Sequence, residues 1–226
     1  SSAAMTQALQ AQAANASFFS FKNGMDTISH ALVAGVHCTL GVAAQFIEPY
    51  RDQYSIRLDN KTWADGFDGI VVATTAPLAN QLTRKLTDDV IPEPVRRFIT
   101  DQRYVNHVHA AYRVPEAVCA NMGPSVFPCG PGTHLVGAVT RNTAKYQHIR
   151  GAPPGEEIVG VYLTQAGSQL MQDYSDAKTY AETWALARRL LPELPADCTP
   201  HHLYRRPYAI PIPTVGHYKH AAEIQT

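Results

Sequence analysis

One stretch constrains this chain more than any other: Phe67-Asp68-Gly69-Ile70-Val71-Val72-Ala73-Thr74-Thr75-Ala76-Pro77. A short apolar run bounded by small and polar residues predicts a strand over residues 69–73 that is covered on both faces, as in a parallel sheet. The small-residue turn after it leads into a helical period from Leu78 to Leu86. Strand, tight turn and helix in this order read as the tail of a dinucleotide-type sheet. Yet no G-x-G-x-x-G occurs anywhere, so the glycine-rich turn that opens such a sheet is missing. Either the rest of that fold lies on other polypeptide, or this sheet serves another purpose.

At 226 residues and 24.7 kDa the chain suits one large domain or two small ones. A hydrophobic content of 45% with 17% charged residues is that of an ordinary globular protein. Nineteen basic residues balance nineteen acidic ones, which excludes an electrostatic footprint for nucleic acid. No apolar run approaches the ~20 residues of a membrane span. Residues 1–16, rich in Ala and Gln, lack the basic start and apolar core of a signal peptide and read as a helix. Cys38, Cys119, Cys129 and Cys198 are too sparse for a disulfide framework, although Cys119 and Cys129 flank a loop that a bridge could close. A cytoplasmic location is expected.

Residues 24–35 place Met25, Ile28, Ala31 and Leu32 on one helical face and close at Gly35. Short strands are predicted over residues 36–40 and 43–47. Residues 54–58 alternate, and Asp59-Asn60-Lys61 turns them back through Thr62-Trp63-Ala64 as a hairpin. Pro92 and Pro94 mark a boundary. Residues 104–113 form a strand with two stripes, stopped by Pro115, and residues 119–132 are dense in Gly and Pro and read as loop. Strands over 135–140 and 158–164 follow, joined through the turn at 151–155. Ser175 caps a helix of about residues 176–191, with Tyr180, Trp184, Ala187 and Leu191 on its buried face. The end of the chain is rich in proline and aromatics.

Four stretches in this order resemble the FAD-dependent family of protoporphyrinogen oxidases, flavin amine oxidases and carotenoid desaturases. They are FKNGMDTI at 21–28, ADGFDGIVVATTAPLA at 64–79, GEEIVGVYLTQAGSQLMQDYSD at 155–176 and AIPIPTVGH at 209–217. Similarity to that family implies a mixed α/β fold: a partial FAD-binding domain joined to a mostly antiparallel substrate sheet with helices. Residues 1–99 would be the second half of the FAD-binding domain, 100–200 the substrate domain and 201–226 a return segment. The family's glycine-rich start and its flavin-contacting end are not in the chain. It therefore resembles an internal portion: a natural subunit, a processed piece or a truncated reading frame.

The resemblance implies FAD as cofactor and a second polypeptide that supplies the G-x-G-x-x-G half. It assigns Ala44 to the strand under the adenine, where a plain strand residue is the alternative. It sets Ala73, Thr74 and Thr75 against the phosphate-ribose portion, where small residues let backbone approach a ligand; a simple strand-to-helix turn is the other reading. Flavin chemistry is the cofactor's own, so no catalytic triad is demanded, and no catalytic residue is identified. His107 stands where amine oxidases of the family often carry a Lys; an ordinary strand histidine is the alternative. Arg206, with Arg205 beside it, suits a carboxylate of the substrate, since guanidinium pairs bidentately with carboxylates; solvated surface arginines are the alternative. His107 and His109 share a strand face, but no H-x-x-x-H or C-x-x-C pair occurs, so no metal is expected. No G-x-S-x-G supports a hydrolase. The function implied is part of an FAD-dependent oxidoreductase acting on C–H or C–N bonds of a hydrophobic or amphipathic molecule. The competing class is a non-catalytic binding or regulatory subunit, or a remnant without flavin.

Overall fold

Hairpin chemistry and strand alternation build two antiparallel sheets, of three and five strands. The computed structural model describes residues 21, 23–129, 134–145 and 152–224; the helix read over residues 1–16 lies outside them. A first helix, α1 (Asp26–Val33), ends before Gly35, whose φ of +83° is the left-handed value that glycine takes without strain. It buries none of its residues.

The small sheet runs β1 (Ala44–Tyr50), β2 (Gln53–Leu58), β3 (Trp63–Phe67) in spatial order. The β2–β3 turn forms because Asn60 accepts the Thr62 N–H at 3.0 Å through its side-chain oxygen, and Lys61 adopts φ +68°. Helix α2 (Ala76–Thr83), with Pro77 in its first turn, packs on β1. Just beyond its end, Lys85 sits 3.6 Å from the centre of the Phe46 ring and pairs with Glu48 at 3.0 Å. Helix α3 (Glu93–Asp101) packs on α2 and leads into the large sheet.

That sheet is assembled from β4 (Arg103–Pro115), β5 (Ser125–Val126), β6 (Val136–Arg141), β7 (Glu156–Leu163) and β8 (Thr199–Ile212), in the order β5-β6-β7-β4-β8. A one-turn helix α4 (Asn142–Lys145) follows β6, and α5 (Gln165–Met171) and α6 (Asp176–Leu190) follow β7. Ser175 caps α6 by accepting the Lys178 N–H at 3.3 Å, as its position predicted. One face of the sheet offers Val108, Tyr112, Val139, Val159, Val161 and Leu163 to Met171, Trp184, Ala187 and Leu194, and this is the main core. Each buried Val, Leu or Met side chain among them contributes about 1.5–3 kcal/mol. Helix α7 (His217–Glu223) closes the described chain.

The mixed α/β class is as expected, but three local expectations fail. Residues 36–40 carry no strand and are exposed. Residues 69–73 form no strand either: no strand lies beside them among the described residues, and Val71 is 93% exposed. Composition there satisfied a strand pattern, yet a strand exists only with a ladder partner. The stretch 119–132, read wholly as loop, contains β5, whose Ser125 and Val126 pair with Thr140 and Val139. No disulfide joins Cys119 and Cys129; all four cysteines are free.

Candidate functional site

β4 carries the site, flanked by β7 on one side and the edge strand β8 on the other. Its alternation sends Val108, Ala110 and Tyr112 into the helix-covered core, and His107, His109 and Ala111 to the opposite face. The register sets His109 opposite Tyr162 of β7 and Tyr204 of β8. The three rings stand nearly parallel across three strands. His109 lies 3.9 Å from Tyr162 at an interplanar angle of 11°, and 5.4 Å from Tyr204 at 7°. His202 adds a fourth ring, 4.1 Å from Tyr204.

Gly160 makes this row possible. A Cβ there would come within 2.8 Å of His109 Nε2, 3.0 Å of Thr140 Oγ1 and 3.1 Å of the Tyr162 ring. His109 Nε2 is buried and has no hydrogen-bond partner among the described residues. Burial, then the nearby His107, His202 and Arg206, push the His109 pKa down to about 4, so the imidazole is neutral at neutral pH. His107 is also lowered, by burial first and Arg206 second. The family resemblance pointed to His107; the better-buried ring at the centre of the row is His109, and its signal was the His-x-His alternation.

The two arginines separate sharply. Arg205, paired with Val108 in register, turns to the helix side. It donates to the carbonyls of Met171 at 2.7 Å and Tyr174 at 2.8 Å and to Thr179 Oγ1 at 2.7 Å, and it pairs with Asp176 at 3.2 Å. Those bonds tie the α5–α6 connection to β8 and occupy the guanidinium. Arg206, opposite His107, stays on the aromatic face, 5.4 Å from the centre of the Tyr204 ring, with no carboxylate partner among the described residues.

Beyond Arg206 the ladder is interrupted. Between the pairs His107↔Arg206 and Val105↔Ile210, Pro207, Tyr208 and Ala209 face Asn106 alone. Pro207 has no N–H to lose there, and Tyr208 takes a left-handed φ of +57°. The Tyr208 ring meets Tyr104 edge-on at 5.7 Å. The Tyr104 hydroxyl in turn accepts the Ala76 N–H at 2.9 Å. One side chain therefore connects the bulge beside the aromatic face to the turn at residues 73–75.

Ala73 and Thr74 are exposed on that turn, and Thr75 is half-buried at the head of α2 with an extended backbone, φ −66° and ψ 152°. Thr75 Oγ1 is buried without a partner among the described residues. Ala44 lies exposed at the start of β1, opposite Leu58. The residues expected at a cofactor therefore occupy the small sheet and its helix, and His107 and Arg206 the large sheet. Three hollows lie away from the aromatic row. One of about 100 Å³ separates α3 from α7, one of about 480 Å³ lies between α6 and the Tyr112 side of β4, and one of about 550 Å³ sits beside His134 and Gln169. Among the described residues no group of three or more His, Cys, Asp or Glu could hold a metal ion, and no helix is long and apolar enough to cross a membrane.

No protein-family model matches the chain, and no curated protein does. Solved structures do match in fold. A putrescine oxidase variant from a redesign of that enzyme's cofactor binding superimposes with a TM-score of 0.62 and 16% identity, over 90% of this chain and 45% of that one. Reduced UDP-galactopyranose mutase gives 0.61 and 13%, over 89% and 42%. An oxidoreductase from Methanosarcina mazei gives 0.52 and 13%, over 81% and 40%. The likeness is one of fold, and this chain spans less than half the length of each of these structures.

Proposed function

We propose that the chain is part of an FAD-dependent oxidoreductase that oxidises a C–H or C–N bond of a hydrophobic or amphipathic small molecule, with hydride passing to the flavin from the carbon that is oxidised. The observation that carries this reading is the fold likeness to putrescine oxidase over 90% of the chain. Residues 1–99 would serve the cofactor side, 100–200 the substrate side, and 201–226 would return toward the cofactor.

The turn at 73–75 fits the phosphate-ribose portion of such a group. Its exposed residues are small, it opens the N-terminus of α2, and Thr75 Oγ1 is buried with a free hydrogen-bonding capacity. Ala44, exposed at the head of the edge strand β1, would lie against the base. FAD, when bound, supplies the two-electron chemistry. The chain's own part is to hold and orient: the aromatic face packs against the substrate, and His107 and Arg206 bind its polar edge. The neutral His109 keeps the wall beside them apolar.

A second polypeptide bearing the G-x-G-x-x-G half completes the cradle in this proposal. Its support is apolar side chains left exposed in the first hundred residues: Leu32 is 73% exposed, Leu40 84% and Val71 93%. The test is flavin absorbance of the chain purified alone and together with a glycine-rich partner from the neighbouring reading frame. Colour is expected only in the pair, and Ala73→Glu, which places bulk and charge on the exposed turn, is expected to bleach it. A tightly associated but colourless pair refutes the oxidoreductase and leaves a binding or regulatory subunit.

A further inference from the structure

We propose that the aromatic face selects a substrate carrying a carboxylate and rejects one presenting an ammonium group; this rests on the reading of that face as the substrate wall. Recognition of an ammonium needs either a carboxylate partner or an open aromatic face. The face offers no free carboxylate among its described residues. His109 takes one side of Tyr162 and of Tyr204, and Tyr204, the more open ring at 36% exposure, has the Arg206 guanidinium 5.4 Å from its centre, so an ammonium over that ring would lie beside a cation. The carboxylate on this side, Glu156, sits at the far end of β7 and is paired with Arg113 at 3.5 Å.

Beyond the Arg113–Glu156 pair, charge on the face has one sign. Arg206 is the fixed cation beside the aromatic row, with His107 opposite it in register and His202 two residues before Tyr204. The guanidinium has no carboxylate partner among the described residues, in contrast to Arg205, which is committed to Asp176 and the helix carbonyls. A carboxylate arriving at Arg206 gains two parallel N–H donors. An ammonium arriving there meets an uncompensated positive charge within a few ångströms. The stacked row beside it gives a flat apolar wall for the remainder of an amphipathic ligand.

The experiment compares benzoate with benzylamine, alike in ring and opposite in charge, on the chain carrying 13C-labelled histidine. Benzoate is expected to shift the His107 and His202 signals in a saturable way, and benzylamine to leave them unmoved. Arg206→Ala should weaken benzoate about tenfold or more, while Arg206→Lys keeps part of the affinity. Equal or stronger binding of benzylamine overturns the inference, as does benzoate binding that ignores Arg206→Ala or an absence of saturable benzoate binding. No flavin is needed for the readout. A colourless pair with intact benzoate selection therefore sinks the oxidoreductase and spares the anion site, and the reverse outcome does the opposite.

Discussion

Replacing Gly160 by alanine tests whether the aromatic row is a packed structure or a loose array. The added methyl would lie 2.8 Å from His109 Nε2, 3.0 Å from Thr140 Oγ1 and 3.1 Å from the Tyr162 ring. Each falls short of ordinary van der Waals contact by roughly 0.3 to 0.6 Å. The imidazole cannot slide along the row, because Tyr162 closes one side at 3.9 Å and Tyr204 the other. It must lift away from the sheet or push Tyr162, and overpacking of this kind costs about 1–3 kcal/mol. Alanine's stiffer unfolded chain returns about 0.4–1 kcal/mol. The net expectation is a loss of about 1–2 kcal/mol, read as a lower urea midpoint at unchanged m-value. The His109 pKa should also rise from about 4 as burial is relieved. Gly167→Ala is the internal scale: there the methyl would meet the Leu135 carbonyl oxygen at 2.3 Å, and backbone yields less than a ring, so its loss must be larger. A neutral or stabilising Gly160→Ala with an unmoved His109 titration would refute the packed row.

Three further outcomes follow from the same contacts. His109 is held down to about 4 from 6.5, so on acidification the unfolded chain takes up this proton first. Its contribution is whole above about pH 6.5, falls as pH drops toward about 4 and is flat below, and amounts to no more than about 3 kcal/mol; an NMR titration of the ring with a midpoint near 6.5 would contradict it. Tyr104→Phe should cost about 1 kcal/mol and speed exchange of the Ala76 amide, which loses its acceptor; unchanged exchange rejects the link between turn and bulge. Arg205→Ala should cost about 2–3 kcal/mol, because it strips donors from the Met171 and Tyr174 carbonyls, whereas Arg206→Ala should stay within about 0.5 kcal/mol. Equal losses in denaturant melts would mean the two arginines are not divided between the faces.

What was legible in the sequence depended on whether a local signal and a tertiary partner agreed. The strand over 104–113 and the helix after Ser175 carried both a period and a stop, and they stand nearly where they were placed. The segment 69–73 had the composition of a covered strand but has no ladder beside it, and composition cannot report a missing neighbour. Helix α5 was missed because its buried residues are Gly167, Ser168 and Met171, too small to draw an apolar period. Its signal was Thr164, whose hydroxyl accepts the Gly167 N–H at 3.2 Å as an N-cap. Strand β8 was not read from the proline-rich end of the chain; prolines are confined to edge strands, and β8 is one, where a missing N–H can face outward.

The site was half legible for a related reason. Alternation assigns a side chain to a face, so His107 and His109 group together. Arg205 and Arg206, which the sequence reading pairs as carboxylate ligands, alternate to opposite sides once residues 199–212 form a strand. Alternation does not say which face a helix covers. That depends on α6 burying Trp184 and Ala187 over the even-numbered residues of β4, a contact between segments some seventy residues apart. Once that side is taken, Arg205 must spend its charge on helix carbonyls and Arg206 must keep its charge free. The function proposed for this face therefore rests less on any residue's identity than on which of two neighbours the helix left uncovered. Moving a cation to the covered side, as in Val108→Arg, should unfold the sheet rather than create a second anion site, because the buried charge would have no partner. A folded Val108→Arg chain that binds benzoate twice would show that the division of faces is not what confines the charge.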